Sequence, residues 1–250
     1  MEHWEILVLF FTIAILYSSV GFGGGSSYLA ILALYGFEYH LLRATALLCN
    51  ITVVTFGCYI FFTNRHFKWK KIFPLVIISI PLAYLGGSLR ITETTFFILL
   101  GIALVVAAIL MVFQPTQSYH SESRRTRKPN LLINGSLGGG IGFLSGMVGI
   151  GGGIFLAPVL HLLRWDTAKT IAATASFFIL VNSVSGLIGQ MSNPEFIIDW
   201  TLAGLLMLSV FAGGQIGSRL GAVRFKPGVV KAMTAILVAF VGIRILIKYI

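Results

Sequence analysis

Charge is what this chain is short of. Only 10% of its 250 residues are Asp, Glu, Lys or Arg, against about 25% in an ordinary soluble domain. With 57% hydrophobic residues beside so few charges, a soluble protein could not cover its own surface. Acids are scarcest, eight against 18 Lys and Arg, and none lies deep within an apolar run. The intramembrane carboxylate that proton pumps and many symporters keep is therefore missing. Cysteine is nearly absent. Cys49 and Cys58 lie in one apolar segment, which is no geometry for a disulfide, and they read as buried apolar thiols. The short alternating segments of a β-barrel are missing too.

Other absences narrow the function. "GFGGGSS" lacks the GK[ST] of a phosphate loop and the last Gly of a dinucleotide fingerprint. No His/Cys/Asp/Glu cluster has metal-ligand spacing, and no nucleophile stands beside a base. No enzyme activity, metal or cofactor is expected. In "MEHWEILVLFF", Glu2 and Glu5 stand where a signal peptide would carry positive charge, so this segment is expected in the mature protein.

What is there is a series of apolar runs near 20 residues: about 43–63, 72–90, 95–114, 169–189, 200–222 and 229–250. The expected fold is an all-α polytopic membrane protein. A net charge of +10 would suggest nucleic acid in a soluble protein. Here it fits basic loops facing anionic lipid, so the partner is the bilayer and not nucleic acid.

Two further regions, 4–36 and 131–164, are broken by glycine. "VGFGGGSSYLAILALYG" (Val20–Gly36) is echoed by "VGIGGGIFLAPVLHLLR" (Val148–Arg164). Gly21, Gly23, Gly24 and Gly25 align with Gly149, Gly151, Gly152 and Gly153. "ATALLCNITVVTFG" (44–57) aligns with "ATASFFILVNSVSG" (173–186), and "LGGSL" (85–89) with "IGSRL" (216–220). The chain reads as an internal duplication of about 115 residues. The first repeat is 1–114, a basic linker is 115–130, and the second repeat is 131–250.

Loop charge orients the copies. Fourteen of the 18 basic residues crowd the connections 64–71, 115–130, 164–169 and 219–231, which places these in the cytoplasm. Glu2, Glu5, Glu38, Glu93, Glu195 and Asp199 then fall outside. Span 43–63 runs inward and its counterpart 169–189 outward, so the repeats have inverted topology. Each glycine-broken region must start and end on one side, as two full spans or as a re-entrant hairpin. The 11 residues Ser26–Gly36, like Ile154–Arg164, make about 16 Å of helix, half of a ~30 Å hydrocarbon core. Re-entrant hairpins, each followed by three transmembrane helices, are the favoured reading, although the first arms are long enough to span.

Inverted repeats with broken helices meeting near the midplane are the architecture of secondary transporters. The first N–H groups of each second arm lack intrahelical partners and carry the positive end of the helix dipole, an anion site without a charged side chain. Gly23, Gly24, Gly25, Gly151, Gly152 and Gly153 would let an anion approach the backbone. Ser26 and Ser27 add hydroxyls in the first copy, where Ile154 and Phe155 stand in the second. Thr45, Asn50, Thr174, Ser176, Asn182 and Gln215, with Thr52, Ser183 and Ser185, lie inside apolar spans and could complete a neutral cage. The competing readings are close helix packing for the glycines and interhelical hydrogen bonds for the polar side chains. Arg43 is expected to snorkel to headgroups. His161 reads as structural, with a proton-linked role as the alternative.

At "GFGGGSSYLAILALYG…ATALL" and "GIGGGIFLAPVLHLLRWDTAKTIAATAS" the sequence resembles the two copies of the TauE/SafE family signature. The second copy matches better, with Pro158 after the glycines and "ATAS" at Ala173–Ser176. In the first copy Ala30 stands where the family often has Pro. The resemblance implies movement of small sulfur-containing anions such as sulfite, sulfonates or thiosulfate-like species. It also implies a bacterial or archaeal cell membrane. An anion channel on the same scaffold, a carrier of a different small anion, and a structural factor using its apolar surface are the rival functions. Assembly into a homo-oligomer stays open.

Overall fold

The computed structural model describes residues 4–19, 23–113, 131–194, 196–220 and 227–250. Several sequence expectations lie outside the described residues: the basic linker 115–130, Gly21, the acids Glu2 and Glu195, and the basic Arg224 and Lys226. Within them the chain forms ten helices and no strand. These are α1 (Trp4–Ser19), α2 (Gly25–Leu34), α3 (Tyr39–Thr63), α4 (Trp69–Ser88) and α5 (Glu93–Phe113). The second half holds α6 (Leu131–Val148), α7 (Gly153–Leu162), α8 (Ala168–Met191), α9 (Trp200–Leu220) and α10 (Pro227–Tyr249).

Helix lengths follow from the bilayer. Seven helices, α3 to α6 and α8 to α10, are long and apolar enough to cross a membrane. Their outer faces carry bare hydrocarbon: Val112 is 69% exposed and Ile247 79%. Water would not tolerate that surface and lipid does. The chain is an integral membrane protein. By contrast α2 and α7 have ten residues each, about 15 Å, or half a bilayer core. Each begins at the third glycine of its run.

The two halves interlock. Helix α4 packs on α6 and α8, while α9 packs on α1 and α3; α10 meets α2, and α5 meets α7. Exchanging α1–α5 with α6–α10 maps each of these pairings onto another. Small residues set the closest approaches, as membranes favour. On α6, Gly138, Gly142 and Gly146 form a stripe with a four-residue step. It rests on Leu75, Ser79 and Ala83 of α4, which have the same step. For these glycines the close-packing reading is the right one. Pro74 and Pro81 interrupt the ladder of α4, which neighbouring helices in a membrane protein can compensate.

Helices α3 and α8, which carry the matched segments, cross antiparallel at the centre. Leu47 lies against Gly186; Asn50 and Ile179 both border Gly23; Val53 and Val54 share a crevice with Ser176. Advancing along α3 thus means retreating along α8.

Candidate functional site

The two glycine turns meet at Asn50. Its amide Nδ2 donates to the carbonyl of Ile150, inside the second turn, at 2.9 Å. A Cβ on Gly25 would fall on this amide nitrogen and 2.6 Å from the Ile150 oxygen. One on Gly151 would come 2.7 Å from Nδ2, and one on Gly23 2.7 Å from Oδ1. Glycine is required here because an amide side chain fills the space between two backbones. Ile179, at the position in α8 that matches Asn50, covers Gly153 and borders Gly151. The centre is therefore polar on the α3 side and apolar on the α8 side.

The turns themselves are not equivalent. Gly149, Gly151 and Gly152 all have positive φ, between 81° and 85°, a conformation that L side chains avoid. Gly24, which caps α2, has φ −94°. It needs to be glycine for space, since a Cβ would meet the Tyr28 ring 2.5 Å away. Neither α2 nor α7 receives a side-chain cap at its N-terminus. Their first N–H groups and the positive ends of two helix dipoles thus converge on one buried region.

The expected cage residues divide. Asn50, Thr45 and Asn182 are fully buried, and Asn50 Oδ1, Thr45 Oγ1 and Asn182 Oδ1 have no partner among the described residues. Asn182 donates to the Phe178 carbonyl of its own helix at 2.8 Å. Thr174 is spent in the same way, on the Thr170 carbonyl at 2.7 Å. Ser26 and Ser27 are buried in the first turn of α2. The Ser27 hydroxyl pairs with Tyr17 of α1 at 2.6 Å, and Ser26 borders the same phenol. Ile154 begins α7 in the apolar core. Gln215 is half-buried on α9, outside the crevice described below.

Sequence reasoning missed three hydroxyls, on Ser18, Tyr28 and Ser145. All are buried without a partner among the described residues, as is the Ser183 hydroxyl. A Cβ on Gly24 would lie 2.8 Å from the Tyr28 hydroxyl, and one on Gly151 2.8 Å from Ser183 Oγ. Each orphaned group costs about 1–3 kcal/mol unless something bonds to it. Ser18 and Ser145 end the first arms just before the glycines, and that position was their only signal. Arg43, expected at the headgroups, is 3% exposed.

The flanks of this centre differ. On one flank α4 and α8 form a closed seam. A Cβ on Gly87 would fall on the Gly186 carbonyl, one on Gly189 on the Tyr84 carbonyl, and Ser185 donates across to Ile80 O at 2.6 Å. On the other flank a narrow crevice runs between α1, α3, α8 and α9, lined by Ser18, Val53, Val54, Gly57, Ser176, Gly214 and Ser218. Nothing lies within 4 Å of a Cβ on Gly57, the sequence counterpart of Gly186. Beyond the crevice, Asp166 on the α7–α8 connection accepts from Lys68 and Lys71, both at 2.8 Å. Burial alone would raise the Asp166 pKa. The two lysines and the Thr167 N–H outweigh it and hold the carboxyl below its ordinary value.

A probable membrane transporter protein of Sinorhizobium fredii is 34% identical over 252 residues, covering 98% of each chain. One from Methanocaldococcus jannaschii is 30% identical over 205 residues, 76% of this chain and 73% of its own. No solved structure matches the chain significantly. The family model described as sulfite exporter TauE/SafE matches residues 6–245, and the chain belongs to that family.

Proposed function

We propose that this chain is a secondary transporter of a small sulfur-containing oxyanion, of the sulfite or sulfonate class. One observation carries the reading: two uncapped half-helix N-termini from matching segments converge on Asn50 in a region without a carboxylate. Backbone N–H groups, the second Asn50 amide hydrogen and the hydroxyls of Tyr28, Ser145 and Ser183 can all donate to an anion. The family and the names of the relatives favour transport, and the family's name favours a sulfur oxyanion.

The antiparallel crossing of α3 and α8 supports inverted repeats, each a re-entrant hairpin with three spans. In the orientation that loop charge favours, the N-terminus lies outside and the linker in the cytoplasm of a cell membrane. The crevice then lies on the cytoplasmic side and the closed seam on the outer side, and at about 10 Å³ the crevice is itself nearly shut. Alternating access would widen the α3–α9 crevice in one state and part the repeat-related α4–α8 seam in the other.

A thermal-shift screen of sulfite, sulfate, thiosulfate and methanesulfonate on purified protein tests the site. Gly152→Leu should fold less stably and lose any such shift. Saturable counterflow in liposomes is the expected transport behaviour. Single-channel currents would instead make the protein an anion channel.

A further inference from the structure

One buried charge has no part in the site as described so far. Arg43 lies in the second turn of α3 and is 3% exposed. Arg43, Leu47 and Asn50 share one stripe of the helix, and seven residues raise Arg43 about 10 Å along it from Asn50. Its backbone rests on the second glycine turn: a Cβ on Gly149 would come 3.1 Å from Arg43 Cα. Its side chain reaches the seam, where Nη2 donates to the Gly87 carbonyl over a long 3.4 Å. Among the described residues Nε has no partner, and no carboxylate pairs with this guanidinium.

A buried guanidinium with one long hydrogen bond is under-compensated. The Gly87 carbonyl, at the negative end of α4, offsets part of the cost. The planar fork of five N–H donors suits an oxyanion better than a single carbonyl. Arg43 sits where the second glycine turn meets the seam, and Gly87, its acceptor, is also the residue that closes the seam on Gly186. Parting α4 from α8 would therefore release the guanidinium toward Asn50 and the seam flank together.

We propose that Arg43 supplies the positive charge of the anion site, held by Gly87 while the seam is closed and coordinating the oxyanion when it parts. This rests on the transport reading above and adds to it a charged binding residue, with a reason for the site to prefer anions on the seam side.

The test is titration of purified wild type, Asn50→Ala, Arg43→Gln and Arg43→Lys with sulfite, thiosulfate and methanesulfonate, followed by thermal shift. Arg43→Gln should bind at least tenfold more weakly than wild type, and Arg43→Lys, which keeps the charge without the fork, about threefold more weakly. A residue that merely caps α4 would lower the melting temperature and leave affinity within twofold, which overturns the proposal. If Asn50→Ala loses affinity and Arg43→Gln does not, the site stands and Arg43 is excluded from it. No shift with any anion in wild type would overturn the site and this proposal together. Should Arg43→Gln not fold, Arg43→Lys decides, since unchanged affinity there also overturns it.

Discussion

Asn50 of α3 donates to the carbonyl of Ile150, 100 residues further along the chain, and so fixes the second glycine turn against the first half. Its Oδ1 faces Gly23 without a partner. Asn50→Ala and Asn50→Asp both delete the donor; Asn50→Ala should destabilise by about 1–3 kcal/mol, because the Ile150 oxygen is left buried, and Asn50→Asp by more, because an unpaired carboxylate is buried as well. They should differ toward an anion. Alanine weakens binding, whereas aspartate sets a negative charge where the anion sits and abolishes it. Thermal melts with and without sulfite give both readings. Undiminished stabilisation of Asn50→Asp by sulfite would place the site elsewhere.

Gly24 and Gly152 align in sequence but are glycines for different reasons. Gly152 has φ 83°, so Gly152→Ala forces a left-handed conformation costing about 1–2 kcal/mol, whatever the space. At Gly24 φ is −94°, and the obstacle is the Tyr28 ring, itself stacked on Phe10 at 4.6 Å. Gly24→Ala should therefore cost at least about 1 kcal/mol less in a Tyr28→Ala background than alone. Gly152→Ala should keep its backbone cost in Phe178→Ala, although Phe178 is the nearest side chain. Two double-mutant cycles by thermal melting check this, and equal coupling in both would contradict it.

Much of this was legible because bilayer thickness prints itself on a sequence. The run expected at 43–63 is α3, Tyr39–Thr63, and the half-helices expected from 11-residue arms are α2 and α7. The meeting of the turns at Asn50 was foreshadowed by matching glycines and by an amide in an apolar span. Properties set by distant partners stayed hidden. Arg43 was expected at the headgroups, yet its burial depends on α4 and Gly149, from other parts of the chain. The Ser27 hydroxyl looked like a ligand and is engaged by Tyr17, while Thr174 is spent on its own helix. Gly57 and Gly186 are the same residue at matching positions, so sequence could not say which flank is closed.

Asp166, on the α7–α8 connection, holds the α3–α4 connection through Lys68 and the first turn of α4 through Lys71. Its side chain is fully buried, while that of Lys68 is 51% exposed. Asp166→Asn should therefore cost about 1–2 kcal/mol at neutral pH, between an exposed pair and a buried one. Because the folded carboxyl titrates below its ordinary value, its stabilisation is complete above the unfolded pKa of about 3.9. It is lost as pH falls through the folded pKa. The melting gap between wild type and Asp166→Asn should be constant from pH 7 to about pH 5 and close below pH 4. A gap that persisted undiminished at pH 3 would assign the difference to something other than this charge.

Gly57 and Gly189 separate folding from transport. A Cβ on Gly57 meets nothing within 4 Å, and Gly57 lines the crevice. Gly57→Ala should therefore melt within about 0.5 kcal/mol of wild type, and a leucine at Gly189, where α4 backbone stands in the way, should cost more than Gly57→Leu. Gly57→Leu should keep its sulfite affinity, since Asn50 and the two turns are untouched. Counterflow in liposomes should fall at least tenfold, because the leucine occupies the passage between α3 and α9. Gly189→Ala, on the seam, meets backbone instead, since its Cβ would fall on the Tyr84 carbonyl of α4. That seam must spread to accept it, at a cost of about 1–3 kcal/mol. Spreading should also shift the balance toward the state open on the seam flank, raising the reactivity of an Arg43→Cys thiol, in a Cys49→Ala, Cys58→Ala background, toward an anionic thiol reagent. Wild-type counterflow in Gly57→Leu would show that the anion does not pass between α3 and α9. An unreactive Arg43→Cys thiol in the Gly189→Ala protein would show that the seam is not the second gate.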